Sequence, residues 1–103
     1  MANWVRLAGV SECPPGSVCE RVAKDRVIAL FNVNGEFRAL DGICPHQGGP
    51  LGRGRLSGDV VTCPWHGWQF DTRTGQHQSH AAFRHPCLPL KVEGDDLFVD
   101  VSE

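Results

Sequence analysis

The sequence predicts an all-β fold, and three observations support this prediction. Glycine (12 residues) and proline (7 residues) recur every several positions in the 103-residue chain, so the segments between them are too short for ordinary helices. Runs of four to seven β-branched or alternating apolar residues fill those segments, as is typical of strands. Asn34-Gly35 separates two such runs, and this pair is the strongest short-range signal for a hairpin because both residues tolerate positive φ.

Nine segments have the composition of strands, and many short strands are typical of a sandwich or a barrel. A turn at Gly94-Asp95-Asp96 predicts a second tight connection near the C-terminus. In chain order the predicted strands are Trp4–Leu7, Ser17–Ala23, Val27–Val33, Glu36–Leu40, Val60–Thr62, Gln69–Phe70, Gln76–Gln78, Leu90–Glu93 and Leu97–Val101.

Length and charge narrow the class of protein. A chain of 103 residues with 41% hydrophobic content is expected to form one domain, residues 1–103. The 12 acidic and 10 basic side chains are scattered and give a net charge of −2, so no basic run favours nucleic acid or a membrane surface as a partner. The N-terminus lacks a secretory signal pattern, and we expect a cytoplasmic protein.

The glycine-rich segment from Gly42 to Pro64 differs from the rest of the chain. Its glycines and Cys-Pro steps leave little room for regular structure, although one helical turn is possible after Pro50. Loops of this size usually carry function.

Two pairs of possible metal ligands stand out, Cys44-Pro45-His46 and Cys63-Pro64-Trp65-His66. Each pair combines one thiolate with one imidazole, whereas structural zinc fingers tend to pair like with like. Such mixed pairs suit a binuclear cluster in which one iron takes both sulfurs and the other takes both imidazoles. Zinc at the same four residues, or ordinary loop residues, are the alternatives.

The motifs Cys-Pro-His-Gln-Gly-Gly-Pro-Leu at 44–51 and Cys-Pro-Trp-His-Gly-Trp-Gln-Phe-Asp at 63–71, followed by Gly75, resemble the Rieske [2Fe–2S] family. This resemblance implies an antiparallel β-sandwich with a small cluster-binding subdomain built from two loops, at about residues 42–68. It implies that Cys44 and Cys63 bind one iron and that His46 and His66 bind the other. A third loop, Phe83 to Pro89, is expected to close over the cluster.

Within that family, the chain is most similar to the small ferredoxins of bacterial ring-hydroxylating dioxygenase systems. The resemblance implies a monomeric electron carrier, not itself an enzyme, that takes single electrons from an NAD(P)H-dependent flavoprotein reductase and gives them to a terminal oxygenase in aromatic hydrocarbon catabolism. The alternative is a Rieske-like small subunit of an NAD(P)H-dependent nitrite reductase.

Two departures from the respiratory members of the family predict a low potential. Those members carry a disulfide between the two loops, and this chain has Gly49 and Trp65 at the matching positions. They also carry hydroxyl donors after the second loop, and this chain has Trp68 and Phe70 in that segment. Hydrogen bonds to sulfur stabilise the reduced state, so we expect a midpoint of roughly −150 mV. If the bound imidazoles face solvent, the midpoint also depends on pH in the alkaline range.

Several other residues are expected to be structural. Asp71 to Gly75 has the residues of a tight turn, and Arg53 and Arg55 are expected to be simply exposed. Core packing is favoured for Trp65 and Trp68. Two groups complete these expectations: solvated loop histidines (His77, His80, His85) and reduced, partly buried thiols (Cys13, Cys19, Cys87).

Overall fold

The computed structural model describes residues 2–43, 48–65, 67–79 and 84–102, and these form ten strands and two short 3₁₀ turns. The strands are β1 Trp4–Gly9, β2 Val18–Ala23, β3 Arg26–Val33, β4 Glu36–Asp41, β5 Arg55–Ser57, β6 Val60–Thr62, β7 Gln69–Asp71, β8 Cys87–Leu88, β9 Leu90–Glu93 and β10 Asp96–Asp100. The 3₁₀ turns are Val10–Glu12 and Leu51–Arg53. The predicted all-β architecture is confirmed, as is the helical turn after Pro50.

The strands form three antiparallel sheets. A terminal sheet has the order β1-β10-β9, a middle sheet has the order β2-β3-β4-β8, and a loop sheet has the order β5-β6-β7. Pairing of β1 with β10 joins the two ends of the described chain, with Val5 opposite Val99. No helix in the described ranges is long and apolar enough to cross a membrane.

Strand β3 lies at the centre of the molecule because both of its faces are buried. Ile28 and Leu30 on one face belong to an apolar cluster that includes Leu97 and Val99 of β10. The intervening residues Ala29 and Phe31 face the other way, into a cluster shared with the loop sheet. A near-continuous apolar run is what a strand between two layers requires.

Tight hairpins set the registers of the middle sheet. Asn34 and Gly35 have φ of 54° and 93° and connect Val33 to its partner Glu36, which confirms the predicted turn. Lys24 and Asp25 adopt the same left-handed region, at 48° and 65°, which Asp tolerates but which is uncommon for Lys. The resulting registers run without a break from Ala23–Arg26 and from Val33–Glu36.

Three strand assignments from the sequence were wrong or missing. Gln76–Gln78 forms no strand, because only isolated bridges tie His77 to Phe70 and Gln76 to Arg84. Strands β5 and β8 were not predicted, since each is three residues or fewer and contains a single leucine among polar residues or cysteine. Pairing with β6 and β4, respectively, rather than local composition, makes these segments extended.

Candidate metal centre

Cys63 is the one predicted ligand among the described residues, since Cys44, His46 and His66 lie outside them. It follows β6 directly and is buried, with 1% of its surface exposed. Its backbone N–H donates to the carbonyl oxygen of Trp68 at 2.8 Å, and this bond closes the turn that contains Pro64 to Gly67. The sulfur is therefore held at the end of the loop sheet by a fixed backbone.

The first predicted ligand loop is anchored at both of its ends. Ile43 and Pro50 form an antiparallel bridge, and the N–H of Leu51 donates to the carbonyl of Gly42 at 2.9 Å. Leu51 is fully buried in the apolar cluster that also contains Cys63. The ends of the segment that carries Cys44 and His46 are thus fixed on the same end of the molecule as Cys63.

Gly49 brings the two loops into direct contact. A Cβ at this position would lie 2.7 Å from the Sγ of Cys63 and 2.9 Å from the Cβ of Trp65, closer than real side chains pack. Only a residue without a side chain therefore fits between the loops. This close approach, with a buried thiol beside it, is compatible with the predicted cluster, whose ligands would come from both loops.

His77 is buried, which corrects the expectation of a solvated loop histidine. Its ring packs edge-on against Trp68, at 4.6 Å between ring centroids, and against Phe70, at 5.2 Å. Its Nδ1 accepts a hydrogen bond from the N–H of Ser79 at 3.0 Å. The His77 imidazole therefore packs behind the second predicted ligand loop, through its contact with Trp68.

His85 is also buried and supports the first ligand loop. Its Nε2 lies 2.7 Å from the carbonyl oxygen of Asp41, three residues before Cys44, and this short contact requires Nε2 to carry the proton. The N–H of Asp41 donates in turn to the carbonyl of Pro86 at 3.0 Å. Burial lowers the pKa of His85, so the neutral ring is the favoured form.

These two buried imidazoles are the residues that the sequence analysis missed. Polar neighbours such as Gln76, Gln78 and Arg84 gave no sign of burial, since burial comes from contacts with distant segments. His80 lies outside the described residues. Of the expected third loop, Phe83 is likewise not described, while Cys87 and Leu88 pair with β4.

The two tryptophans differ in exposure. Core packing is wrong for Trp65, which is 48% exposed, whereas Trp68 is partly buried against Phe70 and His77. Ile43, directly before the first predicted ligand, is 46% exposed. Two large apolar side chains therefore stand in solvent beside the two ligand loops.

The remaining described cysteines are not predicted ligands. Cys13 and Cys19 pack in the apolar cluster between the terminal and middle sheets. Cys13 is fully buried, and burial raises its pKa to about 11, so the thiol stays protonated at neutral pH. Cys87 is exposed, which corrects the expectation of a partly buried thiol, although desolvation of its sulfur still raises its pKa. The four described cysteines (Cys13, Cys19, Cys63, Cys87) are free thiols.

The predicted turn at Asp71 to Gly75 is present and structural. The N–H of Gly75 donates to the carbonyl of Asp71 at 2.7 Å, and the Asp71 carboxylate accepts from the N–H of Arg73 at 2.8 Å. The Arg73 guanidinium lowers the pKa of Asp71. Thr72 donates to the carbonyl of Asp59 at 2.7 Å and so ties this turn to the β5–β6 hairpin.

Comparison with known proteins agrees with this geometry. Residues 3–92 match the Rieske [2Fe-2S] domain family. The chain is 39% identical to the biphenyl dioxygenase ferredoxin subunit of Pseudomonas sp. (strain KKS102), over 97% of this chain and 94% of the relative.

Solved structures show the same fold. The complex of reduced oxygenase and oxidized ferredoxin in carbazole 1,9a-dioxygenase contains a chain that superimposes with a TM-score of 0.84 at 26% identity, covering 94% of this chain and 92% of that one. A chain named as the small subunit of an NADH-dependent nitrite reductase, from Mycobacterium tuberculosis, superimposes with a TM-score of 0.90 at 19% identity, covering 100% and 98%. At that identity, the second likeness describes the fold alone.

Proposed function

Because the chain belongs to the Rieske [2Fe-2S] domain family, we propose that it is a small electron carrier of an aromatic-ring-hydroxylating oxygenase system. It takes single electrons from an NAD(P)H-dependent flavoprotein reductase and delivers them to a terminal oxygenase. The observation that carries this proposal is the end-to-end similarity to a dioxygenase ferredoxin subunit, at 39% identity. The similarity to the nitrite reductase subunit is weaker in sequence, at 19%.

The proposed cluster ligands are Cys44 and Cys63 on one iron and His46 and His66 on the other. The burial of Cys63 and the close fit of Gly49 against its sulfur support this assignment. In this proposal residues 1–103 form one domain, and the loops at about 42–68 form its cluster-binding part. When bound, the cluster supplies reversible uptake of one electron.

The chain's own residues bring that cofactor within reach of a partner. Ile43 and Trp65 place apolar surface in solvent beside both loops, where a partner protein can exclude water over a small area. Electron-transfer encounters use interfaces that are small and weak, which allows rapid release. We propose that the protein is a carrier and not an enzyme, and that it acts as a cytoplasmic monomer.

The surroundings of Cys63 favour a low midpoint potential. Pro64 removes a backbone donor directly after this cysteine. The segment that follows the turn carries Trp68 and Phe70, neither of which offers a hydroxyl donor that would raise the potential. We therefore place the midpoint at roughly −150 mV. A value in this range suits an electron that comes from NAD(P)H through a flavin.

Reconstitution tests the proposal. The purified holoprotein is mixed with its candidate flavoprotein reductase and terminal oxygenase, and NAD(P)H-dependent hydroxylation is measured with and without it. We expect turnover only in its presence, together with the electron paramagnetic resonance signal of a reduced Rieske centre. Stable co-purification with a siroheme protein, and nitrite reduction by that complex, would instead identify a nitrite reductase subunit.

A further inference from the structure

Arg53 and Arg55 line a cleft of about 600 Å³ that also reaches Cys63. Arg53 ends the second 3₁₀ turn, and Arg55 begins β5 opposite Thr62. Gly54 between them lies so close to the carbonyl of Thr62 that no side chain fits there. This contact fixes the backbone that carries both arginines at the mouth of the cleft.

The charge of these two arginines is largely uncompensated. The Nε of Arg53 lies 3.4 Å from a carboxylate oxygen of Glu20, but its side chain is 73% exposed, so solvent weakens this pair. Arg55 is exposed, and its guanidinium makes no hydrogen bond or ion pair with any residue that the structure describes. By contrast, Arg6, Arg38 and Arg73 each contact a carboxylate at 3.0 Å or less.

The cleft therefore has a local charge opposite to that of the whole chain, whose net charge is −2. Its wall includes Pro64, which is exposed, and the next residue is the exposed Trp65. A free anion would use the arginines alone. An acidic protein surface could use the arginines and the neighbouring apolar residues together, which favours a protein as the occupant.

We propose that the cleft of Arg53 and Arg55 is the docking site for a pair of carboxylates on a redox partner protein of this chain. This inference rests on the proposed function and adds the chemistry of the partner's surface. Guanidinium groups bind carboxylates with two parallel hydrogen bonds, so the two arginines fix the orientation of the partner while Trp65 supplies apolar contact. Attraction between unlike charges also speeds the encounter at low salt.

The test is a set of charge variants of the holoprotein. Three variants reverse the charge: Arg53→Glu, Arg55→Glu and the double variant. Arg55→Lys retains the charge but loses the pair of parallel N–H donors of the guanidinium. Lys91→Glu makes the same change of charge in the terminal sheet, across the middle sheet from the loop sheet. Dissociation constants for the cognate reductase and for the cognate terminal oxygenase are measured by calorimetry, at low and at about 0.15 M ionic strength.

We expect the double variant to bind one of the two partners about tenfold more weakly, with a flatter salt dependence, because exposed pairs contribute modestly and reversal makes them repulsive. Lys91→Glu should bind both partners normally, and the electron paramagnetic resonance spectrum should be unchanged in all variants. Arg55→Lys should recover part of the affinity.

Two results would overturn the inference. One is unchanged affinity and salt dependence of the double variant for both partners. The other is saturable binding of inorganic phosphate at the arginines, seen by nuclear magnetic resonance, without any effect of the variants on either partner. If the wild-type holoprotein itself bound neither protein and passed no electrons to either, the proposed function would fail, and the inference with it.

Discussion

The two faces of strand β3 show how differently the two ends of the molecule are held together. Toward the terminal sheet, Leu30 packs into a cluster of apolar side chains from strands that pair over five or six positions, with one register shift between Arg6 and Ala8 of β1. Toward the loop sheet, Phe31 packs against Val61 and Phe70, in a cluster that also buries the thiol of Cys63. The strands on that side have only three residues each.

Beyond this second cluster, the loop end depends on particular contacts between distant segments. His85 reaches the carbonyl of Asp41, and Gly49 lies against the sulfur of Cys63 with no room for a side chain. Each of these contacts needs one particular residue, whereas the terminal end tolerates apolar residues of similar volume. We therefore expect the terminal end to determine global stability and the loop end to determine whether the iron–sulfur cluster binds.

The largest expected effect comes from removing Cys63, the predicted iron ligand among the described residues. We expect Cys63→Ala to lose nearly all bound iron and visible absorbance while the far-ultraviolet circular dichroism of the terminal and middle sheets remains. Cys87→Ala, at an exposed cysteine outside the ligand set, is the control and should keep its colour. A brown Cys63→Ala protein with full iron content would contradict the ligand assignment.

Truncations on the two faces of β3 separate the two ends directly. Both Leu30→Ala and Phe31→Ala empty fully buried sites and should lower the free energy of unfolding by about 2–5 and about 3–5 kcal/mol. Only Phe31 belongs to the apolar side-chain cluster that contains Cys63. Phe31→Ala should therefore also speed the loss of the visible absorbance of the iron–sulfur cluster under native conditions. Equal rates of cluster loss in the two variants, measured at matched stability, would show that the faces are not separate.

Gly49→Ala tests the contact between the ligand loops. The new methyl group would meet the Cys63 sulfur and the Trp65 Cβ, and overpacking of this kind costs about 1–3 kcal/mol. We expect lower iron content after expression and faster bleaching in air. Gly58→Ala is the control, because a Cβ at Gly58 would meet open space although the backbone φ is positive. This substitution should cost about 1 kcal/mol of backbone strain without changing the iron content.

The smallest expected effect is a pH dependence from His85. Burial lowers its pKa in the folded state below the ordinary value of 6.5, so well above pH 6.5 both states are neutral and the ring contributes no slope. As pH falls below 6.5, the unfolded chain takes up a proton that the folded chain resists, and stability falls by at most about 1.4 kcal/mol per pH unit.

Denaturant titrations between about pH 5 and pH 7 measure that slope. His85→Gln keeps an amide donor for the Asp41 carbonyl but does not titrate, so its stability should vary less with pH than that of the wild type. An identical slope in the variant would mean that another group causes the pH dependence.

The sequence by itself determined the strand framework and the ligand motif. A near-continuous apolar run specifies β3, and alternation together with the Asn34-Gly35 turn specifies β4, since these signals act over a few residues. The two short motifs that pair cysteine with histidine resembled the Rieske family, and the family match over residues 3–92 confirmed this resemblance. Burial of His77 and His85 could not be predicted in the same way.

Only the tertiary structure decided which side chains pack behind the predicted ligand loops and which are exposed to solvent. Contacts such as His85 with Asp41 join residues 44 positions apart, and no local pattern encodes them. The exposure of Trp65 and the shared cleft of Arg53 and Arg55 likewise depend on how the loop sheet packs on the middle sheet. Local signals fix local backbone, whereas burial and charge environment are properties of the packed chain.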